Sequence, residues 1–168
     1  MPVIETERTL LREFRLEDAE AVLKFNVNTE VTRYTGDAGM IKTLDDAKRV
    51  IQSIWLKEYQ EYGYGRWAVV DKASGDVVGF CGFKYFPSLG MPDIGYRFLP
   101  EYWGKGLATE TAFACVDFAK QNLAFTRYFA DVMPDNIASK RVIEKLGLTY
   151  SETIQEDGID FLRYANFW

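Results

Sequence analysis

The chain has 168 residues, of which 48% are apolar and 27% charged, so it has room for one domain with a full hydrophobic core but hardly for two. Its net charge of −5 argues against broad nucleic-acid binding, and the lack of a long apolar run or a signal-peptide pattern predicts a cytoplasmic protein without a membrane partner. The absence of histidine excludes Ser-His-Asp and Cys-His catalysis and any histidine-containing metal site.

The N-terminal half combines helical and strand periodicity. In chain order it predicts a strand over residues 8–15, a short helix over Leu16–Phe25, an irregular segment over residues 28–40, a helix from Thr43 to near Gly63, and strands at Arg66–Asp71 and Val77–Phe86. Thr43 followed by Asp46 resembles a capping box, which supports the start of the second helix. Residues 73–76 supply the turn between the two strands.

The C-terminal half predicts further strands alternating with helices. After a loop at Pro87–Pro92 it predicts a strand at Asp93–Leu99, a helix after Gly106, a strand at Ala124–Met133, a helix from Asn136 to Gly147, and a hairpin of Leu148–Gln155 and Ile159–Phe167. Strands and helices in this order favour an α/β architecture, a mixed sheet with helices on both faces.

Two glycines, Gly104 and Gly106, separate the strand that ends at Leu99 from the following helix. Glycine lets a ligand approach the backbone and permits positive φ, and the first N–H groups of a helix attract anions. The same residues would also suit a tight corner without a ligand. The spacing is neither a dinucleotide fingerprint, because Thr109 stands at its third glycine, nor a P-loop.

A second polar pair, Asn136 and Ser139, lies in the first turn of the helix that follows the next strand. Taken alone, Asn136 is equally suited to cap that helix, and Ser139 to occupy a solvated position. The combination of the glycine turn with this helix, in this order, is what favours a binding site.

The two segments together resemble the GNAT superfamily of N-acyltransferases, and their residue sequences resemble its RimJ/RimL-like branch. The matching segments are residues 5–12, 100–110, 136–147 and 162–165. The resemblance implies a GNAT-like mixed, largely antiparallel sheet of about seven strands with about four flanking helices, in a single domain over residues 1–168. It also implies that the fourth and fifth predicted strands splay apart.

The resemblance further implies acetyl-coenzyme A as cosubstrate and no metal. Glu101 stands where the family has Gln or Arg, so we expect the turn to bind the pyrophosphate through backbone N–H groups, chiefly from Trp103 to Ala108. The pantetheine arm would bond a free strand edge. The expected cofactor-binding residues are Phe98, Leu99, Trp103, Gly104, Lys105, Gly106, Leu107, Ala108, Asn136, Ser139 and Arg141.

Direct acetyl transfer requires a base for the amine and a donor for the leaving thiolate. Asp93 is the first candidate for the base, although it is equally suited to an ion pair; Glu58 and Glu61 are weaker candidates. The resemblance implies a proton-donating Tyr at the position where this chain has Ile143, so that donor is absent. Ser139 matches the serine that the RimJ/RimL-like branch presents near the thioester sulfur, and it is the best remaining candidate.

The resemblance favours acetylation of a primary amine, either a protein N-terminal α-amine or a small molecule. An antibiotic or polyamine acetyltransferase and a non-catalytic acyl-CoA sensor stay open as alternatives. Five aromatic residues suit either an acceptor pocket or the core: Trp55, Tyr59, Tyr62, Tyr64 and Trp67. Cys81 and Cys115 are expected to be buried, reduced thiols. We expect a monomer, or a homodimer paired through a strand edge near the C-terminus.

Overall fold

A computed structural model describes residues 3–167 and arranges their strands in one eight-stranded sheet. The strands are β1 (Ile4–Glu5), β2 (Thr9–Arg12), β3 (Arg66–Asp71), β4 (Val77–Phe86), β5 (Met91–Phe98), β6 (Phe129–Val132), β7 (Thr149–Glu156) and β8 (Ile159–Ala165). Their order across the sheet is β1-β2-β3-β4-β5-β6-β8-β7. Only the β5–β6 pair is parallel among these described strands, so the sheet is mixed and largely antiparallel, as predicted.

The helices lie between these strands in the predicted order. They are α1 (Ala19–Val27), α2 (Thr29–Thr32), α3 (Leu44–Val50), α4 (Leu56–Tyr62), α5 (Leu107–Asn122) and α6 (Ile137–Lys145). A π-helical segment, Ile51–Trp55, joins α3 to α4 without a break, so the long helix predicted from Thr43 to Gly63 is one continuous rod. Its start is the predicted capping box, with the Thr43 hydroxyl accepting from Asp46 N–H at 3.1 Å. Its end is Gly63, at φ 76°.

Several predicted boundaries differ from the structure. The strand predicted over residues 8–15 is shorter and is preceded by β1, because Thr6 N–H bonds the Thr9 carbonyl at 2.9 Å and turns the chain between them. The segment predicted to be irregular contains α2, capped by the Asn28 side chain. β6 starts at Phe129 rather than at 124, since Phe125 packs against Phe83 with ring centroids 4.9 Å apart.

Different helices cover the two faces of the sheet. On one face Cys81 of β4 lies 3.7 Å (Sγ to Sγ) from Cys115 of α5. Both cysteines are free and buried, which confirms the prediction for them. On the other face Phe80 of β4 meets Phe25 of α1, with ring centroids 6.0 Å apart. Neighbouring residues of one strand therefore belong to different layers of the protein.

The fourth and fifth predicted strands, now β5 and β6, splay apart as expected. They are paired only at Asp93 and Phe129, at the start of each strand. Beyond this point the strands diverge and leave a gap in the sheet. Alternation places Asp93, Gly95 and Arg97 on the face covered by α1, and Tyr96 on the face covered by α5 and α6.

β7 is the outermost strand next to β8, and most of its side chains are exposed. A strand edge near the C-terminus is therefore present, and a monomer or homodimer stays a prediction. Within residues 3–167, no helix combines the length and apolar character that crossing a bilayer demands.

Candidate active site

The glycine turn presents a row of unpaired backbone donors. Gly104 and Gly106 have φ values of 72° and 79°, which glycine adopts without strain. Gly106 is the N-cap residue of α5 and supplies no capping side chain. Glu110 N–H is the first to bond inside the helix, to Gly106 O at 2.9 Å, while the N–H groups of residues 104–109 have no partner within the described chain. The turn therefore has the donor geometry that an anion requires.

Trp103 does not contribute its backbone to this row, contrary to prediction. Its N–H bonds Pro100 O at 3.0 Å, in a 3-10 turn that precedes the glycines. Its indole Nε1 donates to the carbonyl of Phe98 at 2.9 Å. The row of free donors thus begins at Gly104, and the Trp103 side chain closes the end of β5.

The free edge of β5 is shifted by one residue from its predicted position. Leu99 N–H bonds Val78 O on β4 at 3.0 Å, and its carbonyl accepts from Tyr102 N–H, so Leu99 has no free backbone group for a ligand. Because backbone groups alternate in direction along a strand, those of Tyr96 and the N–H of Phe98 point toward the gap instead. Leu99 is therefore replaced by Tyr96 as an edge residue.

Arg8 supplies a cation at the turn that sequence reasoning missed. Its Nη2 lies 3.7 Å from where a Cβ on Gly106 would stand. Its Nε bonds the Glu110 carboxylate at 2.9 Å, and Thr6 donates to the same carboxylate at 2.7 Å. Burial acts to raise the pKa of Glu110, but hydrogen bonds from Thr6 and Arg8 outweigh it and hold that pKa below its ordinary value. Glu110 is thus a charged anchor for Arg8.

The two cations that were predicted to bind the cofactor, Lys105 and Arg141, are exposed and make no ion pair within the described residues. Lys105 is exposed, and its Nζ lies 5.5 Å from the ring centroid of Tyr102. Arg141 is exposed on α6 and makes no ion pair within the described residues. No sequence signal pointed to Arg8, because its approach to Gly106 depends on the packing of the β1–β2 turn against α5.

Asn136 and Ser139 meet at the N-terminus of α6, as predicted. The Asn136 side-chain oxygen caps the helix by accepting from Ser139 N–H at 3.2 Å. This contact uses only the oxygen, so the side-chain amide of Asn136 is still able to donate to a ligand. The Ser139 hydroxyl lies 2.7 Å from the hydroxyl of Tyr96 on β5.

A cavity of about 490 Å³ occupies the gap between β5 and β6. Its walls come from both faces of the sheet: Tyr96, Asn136, Ser139 and Ile143 on the α6 side, and Arg66, Phe80, Asp93, Gly95 and Arg97 on the α1 side. β8 and the end of β7 contribute further walls, including Phe161, Arg163 and Glu156. The cavity therefore brings side chains from both faces of the sheet to one place.

Asp93 is fixed in an ion pair. Its two oxygens lie 2.8 and 3.1 Å from the terminal nitrogens of Arg66, and one also accepts from Lys84 N–H at 3.3 Å. Only 15% of the Asp93 side chain and 13% of Arg66 are exposed. A Cβ on Gly95 would stand 2.8 Å from the guanidinium, which explains why glycine occurs there. Proton acceptance by Asp93 would break this pair, so the structure favours a structural role for it.

Glu156 is the cavity carboxylate that has no ion-pair partner in the described chain. Asp131 pairs with Arg163 at 2.9 Å, and Asp93 pairs with Arg66. Glu156 is exposed at the end of β7. Sequence reasoning did not single it out, since the turn chemistry around it identifies a hairpin and nothing in the local pattern connects the hairpin to β5.

The remaining predicted groups lie elsewhere. Glu58 pairs with Lys84 at 3.2 Å, Glu61 is exposed on α4, and neither lines the cavity. The five aromatic residues considered for an acceptor pocket also do not line it; four are buried and Tyr62 packs against them. Within residues 3–167 no group of three or more His, Cys, Asp or Glu side chains is arranged to hold a metal ion.

Sequence comparison finds a family whose model matches most of the chain. Residues 8–149 match the acetyltransferase (GNAT) domain. The chain is 34% identical over 147 residues to the uncharacterized N-acetyltransferase YoaA of Bacillus subtilis (strain 168), covering 87% of this chain and 82% of the relative.

Solved structures show the same fold. The acetyltransferase (GNAT family) from Bacillus anthracis superposes with a TM-score of 0.80 at 26% identity, covering 96% of both chains. RimL, a ribosomal L7/L12 α-N-protein acetyltransferase in complex with coenzyme A, superposes with a TM-score of 0.86 over 99% of this chain and 98% of its own. Its identity is 15%, so it supports the fold alone.

Proposed function

This chain belongs to the GNAT acetyltransferase family, and from that membership we propose that it moves an acetyl group from acetyl-coenzyme A directly to a primary amine. It is an acyltransferase with acetyl-coenzyme A as cosubstrate. We infer that residues 1–168 act as one domain, because β1 and β8, near the two ends, belong to one sheet. A cytoplasmic location stays a prediction, as does membership of the RimJ/RimL-like branch.

The observation that carries the proposal is the cavity between β5 and β6. It is lined by residues from both faces of the sheet, and its walls carry hydroxyl, amide and carboxylate groups. A thioester arriving along the free edge of β5 on the α6 side can meet an amine arriving from the α1 side without either crossing the other. This arrangement supports direct transfer in a ternary complex.

The cofactor fits the turn and the strand edge. The free N–H groups of residues 104–109 and the Arg8 guanidinium provide donors and charge for the pyrophosphate. Tyr96 and the N–H of Phe98 supply backbone groups for the amides of the pantetheine arm, and the Asn136 amide adds a donor near its end. When bound, the cofactor supplies the activated acetyl group.

Replacing Arg8 by alanine is expected to weaken acetyl-coenzyme A binding about tenfold, because a guanidinium beside the pyrophosphate is removed. Calorimetric titration at low and high salt measures the effect, and the difference between wild type and variant should shrink as salt screens the charge. Arg49→Ala, which removes an exposed arginine of α3, serves as the matched control. Equal affinities of wild type and Arg8→Ala at low salt would contradict the role of Arg8.

Replacing Asn136 by alanine is expected to weaken both the fold and cofactor binding, because one side chain caps α6 and offers a donor. Loss of the cap should lower the free energy of unfolding by about 1 kcal/mol. Asn136→Ser restores a capping oxygen but not the amide donor. Denaturant unfolding should therefore recover in the serine variant while calorimetric affinity stays low; full recovery of affinity would leave Asn136 with capping alone.

Glu156 and Ser139 have different roles in the transfer, since one accepts a proton from the amine and the other stabilises the leaving thiolate. The acceptor reaches the cavity as an ammonium ion and must lose a proton before it attacks, and the unpaired carboxylate of Glu156 is the group free to accept it. Ser139, at the positive end of α6, faces the thioester sulfur and hydrogen-bonds the thiolate as it leaves. The ion pair between Asp93 of β5 and Arg66 of β3 stabilises the wall of the cavity on the α1 side.

The acceptor is a cationic primary amine, either a protein N-terminal α-amine or a small molecule. The cavity carries three guanidinium groups, two of them paired with cavity carboxylates, while Arg97 pairs with Asp37. The lining carries three guanidinium and three carboxylate groups, and Glu156 is the one without an ion-pair partner in the described chain, which favours a cation beside it.

A panel of N-terminal peptides, polyamines and aminoglycosides, assayed for thiol release from acetyl-coenzyme A, tests the proposal. Amine-dependent thiol release with an acetylated product by mass spectrometry is the expected result. Tight cofactor binding without release for any amine would instead support the non-catalytic sensor.

A further inference from the structure

The hydroxyls of Tyr96 and Ser139 form a pair inside the cavity. Tyr96 extends from β5 on the α6 side of the sheet, and its oxygen lies 2.7 Å from Ser139 Oγ. The Ser139 carbonyl is its other neighbour, at 3.4 Å. Ile143, one turn further along α6, is buried and apolar. Tyr96, which extends from β5, is thus the phenol that reaches this end of the cavity.

The distances decide which hydroxyl donates. Hydrogen bonds between oxygens are 2.5–3.0 Å long, so the Ser139 carbonyl at 3.4 Å is a poor acceptor for Tyr96. If Ser139 donated to Tyr96, that distant carbonyl would be the other acceptor for the phenol proton within the described residues. Burial raises the pKa of Tyr96 more than the hydrogen bond with Ser139 lowers it. The phenol therefore keeps its proton at neutral pH. We therefore assign Tyr96 as the donor and Ser139 as the acceptor.

This assignment leaves the single proton of Ser139 uncommitted. Its oxygen is held by Tyr96, and its backbone N–H is held by Asn136 Oδ1 at 3.2 Å. The remaining direction for the Ser139 O–H bond is the cavity that both side chains line.

We propose that Tyr96 is a positioning residue that orients the Ser139 hydroxyl as a donor to the sulfur of bound coenzyme A. The inference rests on the proposed function. The amine nitrogen forms a bond to the acetyl carbon, the carbon–sulfur bond breaks, and its electron pair stays on sulfur as thiolate. Two hydrogen bonds in series, from Tyr96 to Ser139 and from Ser139 to sulfur, stabilise that thiolate. Both hydroxyls keep their protons, and the amine proton leaves through Glu156.

Coenzyme A alone provides the test, because thiolate formation changes its ultraviolet absorbance. In the wild-type complex we expect the bound thiol to ionise more readily than free coenzyme A, as thiols do at helix N-termini. Tyr96→Phe should lower the ionisation constant of the bound thiol about tenfold. Ser139→Ala should lower it at least as much, and the double variant should equal Ser139→Ala, since Tyr96 acts only through the serine.

Additive effects of the two substitutions, or wild-type titration of either single variant, would overturn the inference. Tyr128→Phe is the matched control, because it removes a hydroxyl from another buried tyrosine that does not line the cavity. Thermal unfolding checks that each variant is folded. Ser139→Ala removes the same hydrogen bond as Tyr96→Phe, but by a change on α6 instead of β5. The titration needs no amine, so the absence of acetylation in the panel would count against the proposed function and leave this result standing.

Discussion

Glu156→Gln is expected to lower the rate of amine acetylation about 100-fold, with little change in acetyl-coenzyme A affinity. Glutamine keeps the size and polarity of the side chain but cannot take a proton from the ammonium group. Glu156 lies at the end of β7 and lines the cavity without an ion-pair partner in the described chain. Steady-state kinetics with an accepted amine, together with calorimetric titration of the cofactor, separates turnover from binding.

The control for this prediction is Glu152→Gln, four residues earlier on the same strand. Glu152 is 59% exposed, lies 3.7 Å from Arg163 and does not line the cavity, so its loss should leave the rate nearly unchanged. A further check raises the pH, where more of the amine is already deprotonated, and the rate of Glu156→Gln should move toward that of the wild type. Wild-type turnover of Glu156→Gln at neutral pH would remove Glu156 as the base.

Asp93→Ala is expected to lower the free energy of unfolding by about 3 kcal/mol, because it leaves the guanidinium of Arg66 largely buried without its partner. Arg66 retains a bond to the Gly82 carbonyl at 2.8 Å, which does not balance its charge. Denaturant unfolding measures the loss. The cofactor affinity of the folded variant should change little, since Asp93 lies on the α1 face of β5.

The double variant Asp93→Ala/Arg66→Met distinguishes a buried charge from a lost contact. Removing both charges should recover much of the stability, as replacement of a buried ion pair by apolar side chains commonly does. The same variants also decide between the two candidate bases. A stable Asp93→Ala protein whose turnover falls as far as that of Glu156→Gln would restore Asp93 as the base and contradict the structural role assigned to it.

Features encoded within a few neighbouring residues were predictable. The Thr43 capping box, the helix end at Gly63, the positive φ of Gly104 and Gly106, and the capping by Asn136 all follow from local chemistry, and the structure shows each of them. The mixed, largely antiparallel sheet and its splayed strands were implied by the family resemblance. Element ends were less predictable, since Phe125 packs against a distant ring instead of extending β6.

The members of the cavity were decided only by tertiary structure. Arg66 reaches Asp93 across β4, Tyr96 meets Ser139 across the gap, and Glu156 arrives on a hairpin that joins the sheet beside β6. Their partners are far away in sequence, so no local spacing encodes them. For the same reason the sequence left open whether Asp93 is a base or a member of an ion pair, and it gave no sign that Tyr96 brings a hydroxyl close to Ser139.

The sequence by itself determined that the glycine turn offers free backbone N–H groups, because positive φ and an uncapped helix start are properties of consecutive residues. It did not determine that the turn has a cation. Glu101 is exposed and cannot provide one, whereas Arg8 is brought to Gly106 by the Glu110 anchor. That contact joins residues about a hundred positions apart, and only the packing of β1 and β2 beside α5 creates it.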